Sequence, residues 1–242
     1  MRLQGQVAVI TGASKGIGLA IARRFAAEGA QLAVTARDAK ALDAVGAKVA
    51  VAGDVTDEAH VRRFAEATLK AFDRVDIVVN NAGNAQSEGF LKTTRDLWDR
   101  MIAVNATSAF LVTREFLPAM VKQGRGRVVM IASISGKRGA PYIAAYAASK
   151  HALLGLARSV AEEFKSKGVL VNCVCPHYVD TPMTEASIAN IMKRTGKSSD
   201  EAKAALAAMN PQGRLITADE VAAKALDYAL PGCTVTGEAF DL

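Results

Sequence analysis

The feature that most constrains this chain is an alternation of short apolar runs, rich in β-branched residues, with longer stretches of helical periodicity. The runs are QVAVI (6–10), QLAVTA (31–36), AKVAVA (47–52), VDIVV (75–79), RVVMIA (127–132), VLVNCVC (169–175) and TVTGEAF (234–240). Helical patterns occupy 17–29, 57–72, 94–123, 144–167 and 218–230. Strands that are apolar on both faces and separated by helices belong in a parallel sheet, because each parallel crossover carries a helix over one face. The expectation is an α/β fold: a single domain over residues 1–242, with a doubly wound parallel sheet of about seven strands and helices on both faces. One stretch, 182–210, is not needed to build the sheet and reads as a lid or side wall. A capping box at Thr217 to Glu220 then opens the last helix.

Composition removes several classes of function. With 242 residues, half of them hydrophobic, the chain can bury a full core without disulfides or metal staples. Cys173 and Cys175 are expected on opposite faces of the sixth strand. With Cys233 they match neither a zinc spacing nor a paired framework, so they read as buried thiols in a reducing compartment. No metal site is expected. The N-terminus, MRLQGQVAVITGAS, runs into a strand and a glycine turn too early for a cleavable leader, and no apolar stretch approaches a membrane span. The reading is a soluble, cytoplasmic protein. The net charge of +6 comes from scattered basic residues without interleaved aromatics, which gives a nucleic-acid role little support.

The first strand leads directly into Thr11-Gly12-Ala13-Ser14-Lys15-Gly16-Ile17-Gly18 and then a helix. That order suits a dinucleotide, as in a Rossmann-type fold. Gly12 can make the sharp turn, Gly16 can admit a pyrophosphate to the backbone, and Gly18 can let helix and sheet approach, while the helix N-terminus offers free N–H donors. Farther along, AAYAASKHALLGL places Tyr146 and Lys150 four apart in an alanine-rich helix, hence on one face. A tyrosine near pKa ~10 is a poor acid or base at neutral pH, and a neighbouring ammonium would draw that value down.

The spacing of the glycines resembles the TGxxxGxG fingerprint of the short-chain dehydrogenase/reductase family, and the turn Asn210-Pro211-Gln212-Gly213-Arg214-Leu215 resembles the stretch before the last helix in its members acting on 3-oxoacyl thioesters. The resemblance runs along nearly the whole chain: Asp54-Val55, Asn80-Asn81-Ala82-Gly83, Asn105, Ser133, Tyr146 to Lys150, and Pro176 to Thr181. It implies a hydride-transferring oxidoreductase in which Tyr146 is the proton donor or acceptor and Ser133 holds the reacting oxygen. Lys150 would bind the nicotinamide ribose and lower the tyrosine pKa, while Asn105 would open its helix locally to hold a relay water. Gly12, Ser14, Lys15, Ile17, Asp54, Val55, Asn81, Gly83, Val179 and Thr181 would join Tyr146 and Lys150 in holding the cofactor. At the end of the second strand Arg37 stands where a carboxylate would select NAD(H). With Lys15 it favours the 2'-phosphate of NADP(H), although Asp38 could take its place after a small backbone shift.

His177 departs from the family's usual Pro-Gly and is expected either to strain its loop or to line the pocket. Lys193, Arg194 and Lys197 could receive the phosphates of a coenzyme A or carrier-protein thioester at the pocket mouth. A homo-oligomer, tetramer or dimer, is implied by the resemblance. The alternatives are an NAD-dependent alcohol dehydrogenase of the same family, or a non-catalytic cofactor-binding or interaction protein with the same fold.

Overall fold

In the computed structural model, which describes residues 1–242, the seven runs form one parallel sheet in the order β3-β2-β1-β4-β5-β6-β7. The strands are β1 (Val7–Thr11), β2 (Gln31–Ala36), β3 (Val49–Ala52), β4 (Ile77–Asn80), β5 (Gly126–Ile131), β6 (Val169–Cys175) and β7 (Ala239–Asp241). The helices are α1 (Gly16–Ala27), α2 (Ala39–Asp43), α3 (Glu58–Phe72), α4 (Arg95–Ile102), α5 (Ser108–Gln123) and α6 (Ala144–Phe164), followed by α7 (Pro182–Thr195), α8 (Ser199–Ala208) and α9 (Ala218–Ala229).

The period of two along each strand divides the core between the sheet's faces. Val7 and Val9 pack with Val78, Phe64, Phe116 and Leu153 beneath α3, α5 and α6. Ala8 and Ile10 pack with Ile77, Val79, Phe25 and Leu226 beneath α1 and α9. The same period corrects one expectation: Cys173 and Cys175, two apart, share a face and lie in the same core cluster, while Val174 points the other way. Burial pushes their thiols up to about 12 and about 11, so both stay protonated and inert at neutral pH.

Three boundaries differ from the periodicity. α2 was not anticipated; it is a short helix capped by Asp38, whose carboxylate accepts from the Ala41 N–H at 3.0 Å. β7 starts at Ala239 rather than Thr234, because ahead of it only Gly237 N–H to Val171 O and Cys173 N–H to Glu238 O join the backbones, and side chains make the other bonds. Thr236 Oγ1 accepts from Val171 N–H and Asn172 bonds Val235 O and Glu238 N–H, while Gly237, at φ 78°, turns the chain out of extended geometry. Finally, the helical pattern at 94–123 is broken by a single wide π-type turn, Ala103–Thr107, between α4 and α5. The stretch at 182–210 folds as a helical hairpin of α7 and α8, with its own Ser198–Glu201 capping box. The Thr217–Glu220 box opens α9 as expected.

Candidate active site

All strands are parallel, so their C-terminal ends share one edge, and the strand order reverses there between β1 and β4. Crevices at such a reversal are where open α/β sheets bind ligands. Thr11 and Asn81 build the crevice. The Thr11 hydroxyl accepts from the N–H groups of Asn81 and Ala82 at 3.1 and 3.0 Å, and the Asn81 amide donates to Thr11 O and Gly12 O at 2.9 and 3.2 Å. Gly12 sits at φ 67°, and a Cβ on Gly18 would lie 2.3 Å from Gly12 O, so neither position accepts a side chain without displacing backbone. Gly16 is the first residue of α1, whose first turn carries no side-chain cap and no acidic residue. Its orphan N–H groups and positive dipole end therefore face the crevice. Ser14 and Ile17 are half-buried in this turn, and Lys15 is exposed beside it.

At the neighbouring strand ends, Arg37 is exposed. Asp38 is committed to capping α2, so its carboxylate does not stand in for the arginine. Asp54 accepts from the N–H and hydroxyl of Thr56 at 2.9 and 2.8 Å. Burial works to raise its pKa, but the Thr56 bonds, with the charges of Arg37 and His60, outweigh it and hold the carboxyl below its ordinary value. Val55 is buried beneath it. His60, unnoticed in the sequence, is 2% exposed and bonds Thr35 Oγ1 at 2.8 Å, tying α3 to the end of β2. The residues fit a dinucleotide: an uncapped helix start, a glycine cradle that a Cβ would fill, and a cation at the end of β2.

Beyond β4 and β5 the remaining groups converge. Ser133 is 8% exposed and its oxygen accepts from the Ser135 N–H at 3.1 Å, leaving its own proton free to be donated. Tyr146 and Lys150 lie on one face of α6, with the Lys150 Nζ 5.9 Å from the phenol ring centre and donating to Ile131 O at 2.9 Å. The ammonium does not lower the tyrosine here. Burial raises the Tyr146 pKa, the Ser133 hydroxyl opposes it, and Tyr178 adds to it. Burial also pushes Lys150 down to about 8, which weakens the cation that was expected to act on Tyr146. Asn105, 1% exposed, sits in the wide turn between α4 and α5, as its poor helix propensity suggested. Its amide is spent on protein: Oδ1 accepts from Asn84 N–H at 3.0 Å, and Nδ2 donates to Asn84 O at 2.9 Å and to Ser149 Oγ at 3.1 Å. A Cβ on Gly83 would stand 2.8 Å from that Oδ1.

The wall after β6 is arranged differently from the expectation. His177 is not among the residues with positive φ, so no glycine-type strain is present. Its N–H donates to Leu242 O, and burial, followed by Arg138, lowers its pKa against the opposing charge of Asp241. It belongs to the C-terminal edge. Tyr178, half-buried three residues beyond β6, adds to the rise of the Tyr146 pKa behind burial. Val179 carries a free N–H while its carbonyl accepts from Thr184 and Thr181 hydroxyls, and Thr181 packs over Gly16. Of the three basic residues at the lid, all exposed, Arg194 reaches a second loop: it donates to Ser87 O at 3.3 Å and meets Glu88 at 3.5 Å. Glu88 N–H in turn donates to Tyr142 O, so lid and two loops close on one another. Lys193 and Lys197 remain exposed.

A glycine-turn nucleotide crevice beside a serine, tyrosine and lysine on one sheet edge defines a nucleotide-dependent oxidoreductase of the α/β class. The family model described as short chain dehydrogenase matches residues 6–191, and the chain belongs to that family. It is 38% identical to a granaticin polyketide synthase putative ketoacyl reductase from Streptomyces violaceoruber, over 98% of this chain and 91% of that protein. It is 35% identical to the 3-oxoacyl-[acyl-carrier-protein] reductase FabG of Escherichia coli, over 92% and 88%. Among solved structures it superposes on an actinorhodin polyketide ketoreductase variant with NADPH at a TM-score of 0.93 and 33% identity, covering 98% of this chain and 95% of that one. No helix is long and apolar enough to cross a membrane.

Proposed function

We propose that the protein interconverts a ketone and a secondary alcohol with NADP(H), as one catalytic domain whose α7–α8 hairpin forms a lid. The observation that carries this reading is the convergence of Ser133, Tyr146 and Lys150 on the edge that also holds the glycine turn. When bound, the cofactor supplies or accepts the hydride. Tyr146 gives its proton to the carbonyl oxygen, or takes it from the alcohol in reverse, and its raised pKa keeps it protonated and ready to donate at neutral pH. Ser133 donates a hydrogen bond to the same oxygen as charge builds there. Lys150 holds the nicotinamide ribose. Asn105, through the wide turn it occupies, keeps a proton path open from Lys150 to solvent. The N–H groups at the start of α1, the free Val179 N–H, Thr181, the Asn81–Gly83 strand end and Asp54 with Val55 would hold the cofactor. The substrate class favoured is a 3-oxoacyl thioester on coenzyme A or a carrier protein, in keeping with the similarity to a 3-oxoacyl-[acyl-carrier-protein] reductase. The cytoplasmic location follows from the reading of the cysteines and the N-terminus, the homo-oligomer from family membership, and light scattering on purified protein tests the second.

Loss of cofactor absorbance with a panel of simple ketones and 3-oxoacyl thioesters tests the reading. Purified protein that consumes neither NADPH nor NADH with any of them would return the chain to the non-catalytic alternative. The cofactor choice has its own test. Replacing Arg37 by Ala removes a charged partner of the 2'-phosphate, worth about 1.5 to 3 kcal/mol, or roughly one to two decades in the Michaelis constant for NADPH, with little change for NADH. A variant equally impaired with both cofactors would remove Arg37 from that role.

A further inference from the structure

His60 stands where the core beneath α3 would accept an apolar side chain. It is 2% exposed, and Val61, Phe64 and Ala65, which follow it on α3, belong to the apolar cluster on that face of the sheet. Its one hydrogen bond has a fixed direction. Thr35, fully buried on β2, has a single hydroxyl proton and gives it to Val51 O of β3 at 2.7 Å, since a carbonyl can only accept. The 2.8 Å contact between Thr35 Oγ1 and His60 Nε2 is therefore a bond that the ring donates, in either of its charge states. The far side of the ring lies on Gly53, where a Cβ would stand 2.2 Å from Nδ1 and 2.4 Å from Cε1. The imidazole thus fills the place of the side chain that Gly53 lacks, and Gly53 N–H donates to Ala36 O at 3.0 Å.

One side chain on α3 in this way joins the ends of two strands. β2 and β3 are paired in register through Thr35 with Val51 and Ala36 with Ala52, and the chain leaves that last pair as Arg37 on one strand and as Gly53-Asp54-Val55 on the other. Arg37 is exposed, so its place is set by the strand end behind it. We propose that His60 is a positioning residue for the choice of NADP(H): by fixing the end of β2 against the Gly53 turn, it sets where Arg37 meets the 2'-phosphate. This inference rests on the role given to Arg37 above, and it adds a residue that acts through Thr35 and Gly53 rather than by contact with the cofactor. A guanidinium grips a phosphate through N–H bonds that weaken steeply when misaligned, so a strand end free to shift would keep the charge and lose the grip.

His60→Phe keeps a ring over Gly53 and removes the donor, and His60→Gln returns an N–H at about the reach of Nε2. Fluorescence titration of the purified proteins with NADPH and with NADH reads binding without turnover. His60→Phe should weaken NADPH binding about three- to ten-fold, the worth of one hydrogen bond, and NADH binding less than about two-fold, with most of the loss recovered in His60→Gln. In an Arg37→Ala background, His60→Phe should add no further loss with NADPH, because both changes act through one contact. Equal losses with both cofactors, a loss that persists in the Arg37→Ala background, a glutamine variant as weak as the phenylalanine one, or a lowered thermal midpoint with NADPH affinity unchanged would overturn the assignment and leave His60 as a packing residue. An Arg37→Ala variant that bound NADPH as wild type does would overturn the role of Arg37 itself, and that of His60 with it.

Discussion

Tyr146→Phe is expected to lower ketone reduction by at least 10² to 10⁴-fold while cofactor binding stays nearly intact. Hydride delivery leaves an alkoxide, and Tyr146 is the group placed to protonate it, a buried phenol held in its protonated form beside the Ser133 hydroxyl. The loss can exceed a single acid/base contribution because Ser133, Tyr146 and Lys150 act as a unit. Phenylalanine preserves the ring's packing on α6, so fluorescence titration with NADPH separates binding from turnover. Retention of the wild-type rate would show that the proton comes from elsewhere.

Lys150→Met is expected to lose turnover and gain stability at neutral pH. Lys150 is 5% exposed, and burial lowers its pKa from 10.5 to about 8, so the folded state binds this proton less tightly than the unfolded state does. The cost of holding the charged amine is complete below about pH 8, shrinks as pH rises and vanishes above 10.5. That shift corresponds to about 3 kcal/mol, from which the lost bond to Ile131 O removes about 1 kcal/mol. A net gain of about 2 kcal/mol would raise the midpoint by roughly 4 to 8 °C for a chain of this size. Urea unfolding of wild type and variant across that pH range isolates the effect, because every other group titrates in both. The difference between them should be largest at neutral pH and close as pH rises. A variant less stable than wild type at neutral pH would mean that the amine is stabilised in the fold rather than tolerated for function.

These two expectations start from residues that the sequence already marked, because Tyr146 and Lys150 are local to one helix. The spacing of four fixed their shared face before any tertiary contact was known. It did not fix the direction of the electrostatics. Whether an ammonium lowers a phenol depends on how deeply each is buried, and that is set by α6 packing under β5 and β6 rather than by the four residues between them. The lid basic residues show the same limit. Lys193, Arg194 and Lys197 are equivalent as sequence, yet only Arg194 meets Glu88, a residue 106 positions away.

What the sequence determined by itself was whatever is periodic or local: seven apolar runs, the helices between them, the glycine turn after β1 and the Thr217–Glu220 box. Backbone sterics, side-chain period and short-range hydrogen bonds act within a few residues, so those features survive without a partner. Only the tertiary structure decided which polar groups are spent and which are free. Asp38 was removed as a rival to Arg37 by capping α2, the Asn105 amide was consumed by Asn84, and the β7 ladder was shortened by Thr236 and Asn172. The backbone of Tyr178 was fixed from both sides by Asn210, thirty-two residues on. A hydrogen bond across such distances exists only once the chain has closed, and a single sequence carries no register between distant segments.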